Sequence, residues 1–203
     1  MLGISVYPYK ENIEETLKYI DKSASLGYGR IFLNLLLFDY NQIDKFVSDN
    51  KKIISFAKSK GFEIYVDVNP KIFELLGIKH TDLSFFKEIG ADGIRLDAGF
   101  SGLEESIMTY NPEGLIVEIN MSNNVHTIDT IMDYRPNKYK LYGCHNFYPH
   151  RFSGLNLDFY KECTQRFSKY GLNTAAFVTS QDKRAFGPWP TTEGLPTLEI
   201  HRN

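Results

Sequence analysis

Short apolar runs recur along this chain, each closed by a glycine, a proline or a polar cluster and followed by a stretch of helical period. The first run is "GISVYP", residues 3–8. Behind it, "ENIEETLKYIDKSASLG" puts Ile13, Leu17, Ile20 and Ala24 on one helical face, with Gly27 at the C-terminal cap. "RIFLNLL" (30–36) predicts a second strand, and residues 41–60 a helix stopped by Gly61. The third strand is "EIYVDVN" (63–69), followed by a helix over 81–89 that ends at Gly90. "GIRLDAGF" (93–100) is the fourth strand, after which Ser101 and Glu104 form a capping box for a short helix through Met108. "GLIVEINMS" (114–122) is the fifth, with a short helix near 127–134, and "KLYGCHNFYPH" (140–150) the sixth. A helix over 156–170 leads to "NTAAFVTS" (173–180), and "TLEIHR" (197–202) is the eighth strand.

Repeated strand–helix units require parallel strands joined by right-handed crossovers. Eight of them at short spacing predict an α/β protein of TIM-like (β/α)8 barrel form rather than an open doubly wound sheet. "GYGRIF" (27–32) lacks a third glycine and precedes a strand, so it makes no nucleotide-binding loop. A barrel usually takes ~250 residues. The expectation here is one domain over 1–203, truncated after strand eight and lacking the last helix.

Alternate residues of a barrel strand face the interior and the helix layer. In strand three this sends Ile64, Val66 and Val68 outward and Tyr65, Asp67 and Asn69 inward. Strand four sends Arg95 and Asp97 inward, strand five Glu118, Asn120 and Ser122, and strand eight Glu199 and His201. Ser5, Tyr7 and Asn34 also face in, while Leu198 and Ile200 face out. Asp67, Asp97, Glu118 and Glu199 then stand against Arg95. Buried charge is costly unless paired or wet, and these acids lie toward the strand ends where barrels carry active sites.

The segment "YGCHNFYPHRF" (142–152) ends strand six on the same face, with His145 or Asn146 pointing inward according to register, and His150 and Arg151 on the rim. Ser180, Gln181 and Arg184 follow strand seven, and Arg202 follows strand eight, where barrels often bind phosphate.

Composition narrows this little. The 203 residues are 42% hydrophobic and 24% charged, an ordinary globular balance, and the net charge of −2 gives no nucleic-acid or anionic-membrane footprint. Aromatic residues reach 14%, which suits a ring-binding surface but is explained as well by core packing. Cys144 and Cys163 form no CxxC, so a reducing, cytoplasmic compartment is expected. No signal peptide or membrane-length apolar run is seen. The scattered histidines match no metal motif, and no cofactor is expected.

"ADGIRLDAGFSGLEE", "MTYNPEGLIVEINMSN", "GCHNFYPHRFSGL" and "FGPWPTTEGLPTLEIHR" closely resemble the bacterial 6-phospho-N-acetylmuramidase family, formerly a family of unknown function, over essentially the whole chain. The resemblance implies a TIM-like barrel that family members follow with a cyclophilin-like C-terminal domain, which is expected to be absent from these 203 residues. It implies a cytoplasmic glycosidase that splits 6-phospho-N-acetylmuramic acid from N-acetylglucosamine during cell-wall recycling. Such a substrate needs cations for its phosphate and lactyl carboxylate, for which Arg151, Arg184 and Arg202 are candidates. It also needs stacking and hydroxyl partners, for which Phe147, Tyr148, Trp189, Asn120 and Asn146 are candidates. Asp67, His145, His150 and Glu199 complete the substrate-binding set.

Glycoside hydrolysis uses two carboxylates. Glu118 is the first candidate and Asp97 the second, with acid and nucleophile unassigned. Two alternatives stand beside it. One is a sugar-phosphate isomerase or epimerase with Glu118 as base and His145 as partner; the other is a non-catalytic phospho-sugar binder. Self-association through an uncovered eighth strand is also expected.

Overall fold

The computed structural model describes residues 1–8, 12–36, 43–124, 126–146 and 155–177. Seven parallel strands form one sheet in chain order: β1 (Gly3–Val6), β2 (Arg30–Asn34), β3 (Glu63–Val68), β4 (Gly93–Leu96), β5 (Ile116–Asn120), β6 (Leu141–Cys144) and β7 (Asn173–Ala175). The helices between them are α1 (Ile13–Ser25), α2 (Ile43–Ser59), α3 (Pro70–Leu75), α4 (Ser84–Glu88), α5 (Leu103–Met108), α6 (Thr127–Asp133) and α7 (Leu157–Lys169). The eighth strand expected at 197–202 lies outside the described residues, as do the last residues of the expected seventh.

The sheet is strongly curled. Flat, β2 and β7 would stand five strand spacings apart, on the order of 24 Å. Instead the ring of Phe177, just past β7, meets Phe32 of β2 edge-on at 5.0 Å. Parallel order, helical crossovers and curling together make an α/β fold of TIM-like type.

The two faces divide as the alternation requires. Outward Ile31, Leu33, Ile64, Val66, Ile94, Val117, Ile119 and Leu141 join Ile20, Ile53, Ile54, Phe86, Ile131 and Phe167 of the helices in a single buried cluster. The helices form where apolar period and caps coincide. Asn12 caps α1 by accepting the Glu15 N–H at 2.8 Å, and Asn156 caps α7 by accepting the Asp158 N–H at 2.8 Å. Among the described residues no helix is long and apolar enough to cross a membrane.

Two local expectations are corrected. Asn69 does not continue β3 inward: it caps α3, an unanticipated helix, taking the Ile72 N–H at 3.0 Å with Pro70 in the first helical turn. The cap of α5 moves one residue on. Gly102 holds the cap at φ 102°, a conformation that favours glycine, and Glu105 accepts its N–H at 2.8 Å. Glu104 instead accepts the Ser101 N–H at 3.1 Å.

Candidate active site

The C-terminal ends of β2 to β6 carry a connected polar cluster with Arg95 at its centre. Arg95 is fully buried, and its Nη1 donates to Asp67 Oδ1 and Asp97 Oδ1, both at 2.8 Å. Its Nη2 donates to Asn146 Oδ1 at 2.8 Å. On the far side of Asp67, Asn34 Nδ2 donates to Oδ2 at 3.3 Å. The strands place these groups directly, since Asn34 pairs in register with Asp67, and Asp67 with Arg95.

Asp97 stands at the mouth. Its backbone N–H donates to Val68 O at 2.9 Å, and its carbonyl accepts from Asn120 Nδ2 at 3.1 Å and Asn123 Nδ2 at 2.8 Å. That frame leaves the side chain 33% exposed, against 3% for Asp67 and 1% for Glu118. Of Asp67, Asp97 and Glu118, Asp97 is the one open to solvent.

Asp67 has a different character. Burial pushes its carboxyl up to about 7, with the Arg95 guanidinium pulling the other way and Asp97 and Glu118 adding to the rise. Arg95 itself is loaded downward by burial, but Asp67 and Asp97 outweigh this and hold its guanidinium above its ordinary value.

Glu118 lies two residues before Asn120, deeper on β5, and forms an ion pair with Arg30 Nη2. Arg30 also stacks over the Tyr65 ring at 3.6 Å. Counting inward charge from the sequence set four acids against Arg95 alone and missed Arg30. The signal was present: the alternation that turns Asn34 inward also turns Phe32 and Arg30 inward. Arg30, Tyr65 and Tyr142 line a cavity of about 570 Å³ at the opposite end of the sheet, together with Glu63, Lys87, Asp92 and Lys140. It lies at the N-terminal strand ends, away from the Asp97 mouth.

At the end of β6 the alternation is resolved. Gly143 packs on Phe167 of α7, whereas Asn146 reaches Arg95 and lies 3.4 Å from Asp97 Oδ1. Asn146 therefore faces in and His145 faces out. His145, 2% exposed, stacks on Tyr160 at 3.9 Å and bonds Thr164, both on α7. Glu118 and His145 thus occupy opposite faces of the sheet and cannot work as a base and its partner.

The structure brings Asp67, Asp97, Asn120 and Asn146 together around Arg95 and sets Glu118 below them. Tyr148, His150, Arg151, Arg184, Trp189, Glu199 and Arg202, together with Phe147, lie outside the described residues. No group of three His, Cys, Asp or Glu side chains able to hold a metal occurs among the described residues. Cys144 and Cys163 are free thiols, both buried.

A curled parallel sheet with helical crossovers and carboxylates gathered at its strand C-terminal ends has the layout of the barrel enzymes. The chain belongs to the family described as 6-phospho-N-acetylmuramidase, N-terminal, which matches residues 2–203. It is similar to an uncharacterized B. cereus protein of solved structure at 45% identity, covering 100% of this chain and 54% of that one, with a TM-score of 0.80. A conserved Enterococcus faecalis protein of unknown function shares the fold at 24% identity, covering 93% of this chain and 51% of the other, with a TM-score of 0.75. The chain spans about half the length of these two proteins. No curated protein matches it.

Proposed function

We propose that this chain carries the barrel of a glycoside hydrolase that cleaves the disaccharide of 6-phospho-N-acetylmuramic acid and N-acetylglucosamine, as its family's description suggests. The observation that carries the proposal is Asp97: a solvent-open carboxylate, fixed by backbone and guanidinium bonds, at the strand ends of a chain of this family.

Asp97 is the carboxylate that meets the sugar. Its first partner is Asp67. Both accept from the same Arg95 nitrogen, so their bonded oxygens lie no farther apart than two 2.8 Å bonds laid end to end. Retaining glycosidases hold their carboxyls at roughly 5–5.5 Å, leaving no room for a water between. A carboxyl titrating at about 7 can hold a proton at neutral pH, as a general acid must. Asp97 then attacks the anomeric carbon as the bond to the leaving oxygen breaks, and water afterwards cleaves the glycosyl–Asp97 ester. Delivery of the Asp67 proton to the leaving oxygen requires that substrate binding open this 3%-exposed carboxyl. Glu118, held by Arg30, ranks behind Asp67 as the second carboxylate. Asn120 and Asn146 offer amide groups beside the reacting bond, and Arg151, Arg184 and Arg202 remain the candidates for the phosphate and lactyl charges.

Incubation of the chain with the phosphorylated disaccharide, with both sugars quantified, tests the proposal. Release of the two monosaccharides in equal amounts is expected. An intact disaccharide that nevertheless raises the melting temperature would favour a binding protein instead.

A further inference from the structure

His145 is walled off from the mouth, yet it is bonded into it. Its Nε2 lies 3.0 Å from Thr164 Oγ1, and that hydroxyl donates its one proton to the Tyr160 carbonyl at 2.9 Å. Thr164 can therefore only accept, and the imidazole donates from Nε2. In the neutral ring Nδ1 is then an acceptor, and Ser122 Oγ lies 3.3 Å from it. Ser122 Oγ in turn accepts the Asn146 N–H at 2.8 Å. The Asn146 side chain closes the path by accepting from Arg95 Nη2 at 2.8 Å. Helix α7 is thus joined through an imidazole and a hydroxyl to the amide that touches Arg95 beside Asp97.

We propose that His145 is a positioning residue for this site: as the neutral imidazole with its proton on Nε2, it orients the Ser122 hydroxyl so that Ser122 fixes Asn146 against Arg95. With the proton on Nε2 the bonds run from Ser122 to Nδ1 and from Nε2 to Thr164. Ser122 gives its proton to Nδ1, which leaves its lone pairs turned to the Asn146 N–H. The backbone around it is already held, His145 N–H donating to Ala175 O at 3.0 Å and Met121 N–H to Cys144 O at 3.1 Å. The Ser122 hydroxyl is the member of the path that His145 contacts directly. The importance of this for turnover rests on the hydrolase proposed above; the hydrogen-bond path does not.

Three variants and one spectrum test it on the full chain. Nitrogen NMR of the wild-type imidazole is expected to show a proton on Nε2 and none on Nδ1 at neutral pH. A proton on Nδ1, alone or with Nε2, overturns the proposal. Asparagine places its oxygen near the Nδ1 position, whereas glutamine reaches the Nε2 position. His145→Asn is therefore expected to retain more protection of the Asn146 amide against hydrogen exchange, and more turnover, than His145→Gln. A role in packing alone gives the opposite order, because glutamine is nearer histidine in size. Ser122→Ala is expected to match His145→Gln, with kcat on the phosphorylated disaccharide lowered about ten- to a hundredfold and KM little changed, as misplacement of a positioned group produces. Wild-type protection of Asn146 in Ser122→Ala also overturns it. Failure of the wild type to cleave the disaccharide would count against the hydrolase alone, since the spectrum and the exchange measurement decide on His145 without turnover.

Discussion

Arg95 has no exposed side-chain surface, and its two terminal nitrogens make three bonds to Asp67, Asp97 and Asn146. Burial is the main cause of the raised Asp67 carboxyl, and the neighbouring Asp97 and Glu118 carboxylates add to the rise against the pull of Arg95. Unfolded, that carboxyl titrates near 3.8; folded, near 7. Between those values the folded state binds more protons than the unfolded one. Its stabilising contribution is complete at the acid end and is lost as pH rises to about 7. Denaturant midpoints should therefore shift in favour of the wild type over Asp67→Asn on acidification from about pH 8 toward about pH 5; parallel profiles would contradict the raised carboxyl. Glu118→Gln probes a different environment. It removes the charge facing Arg30, and breaking a buried pair costs about 3–5 kcal/mol. Because Arg30 keeps 21% of its side chain in solvent, about 3 kcal/mol is the expected upper bound. A loss of cleavage in that variant thus has to be read beside its melting temperature. At this scale the sequence was informative for side chains in the middle of strands. The period of two placed Asp67, Arg95, Asp97 and Glu118 correctly inward. It did not reveal which acid faces an arginine, because Arg30 reaches Glu118 across the concave face of the curled sheet, a contact between strands that are not neighbours.

Among the elements, β6 and α7 are the pair on which the mouth depends, since Asn146 follows the one directly and the other holds His145. Their contact requires a glycine. A Cβ at Gly143 would meet Phe167 Cδ1 at 2.5 Å and Met121 Sδ at 3.2 Å, with the phenylalanine locked in the core. Gly143→Ala is expected to destabilise by about 1–3 kcal/mol, the usual cost of overpacking, in equilibrium denaturation; an unchanged midpoint would show that α7 can move away freely. The described strands stop short of the apolar runs that announced them, and the reason is chemical. Asn34 ends β2 by accepting the Leu36 N–H at 3.1 Å, and Asn120 ends β5 by accepting the Ser122 N–H at 3.0 Å. An asparagine side chain that satisfies its own backbone two residues on competes with the ladder. Asn69 does the same for β3 by capping α3. Hydrophobicity gives the existence and order of strands, but these local bonds set their ends. Helix α3 escaped notice because six residues are too few to show a period; the Asn–Pro pair at 69–70 was its available signal.

For the whole molecule, alternation of strand and helix was enough to predict a curled parallel sheet, and the family match over residues 2–203 agrees with the resemblance of the motifs. The proposed phosphorylated disaccharide is tested at this scale. If arginines hold the 6-phosphate, each charge-assisted bond contributes roughly 1.5–3 kcal/mol. Removing the phosphate should then lower kcat/KM about ten- to a hundredfold. Equal rates on both disaccharides would show that the phosphate is not bound. The account stands most directly on Asp97, the open carboxylate of the mouth. The decisive measurement is cleavage of the phosphorylated disaccharide by the wild type and by Asp97→Asn, with thermal melting of both recorded alongside. The expected result is turnover in the wild type and a loss on the order of 10²–10⁴-fold in the variant, with a cooperative melt preserved. Undiminished turnover by a folded Asp97→Asn would contradict the account.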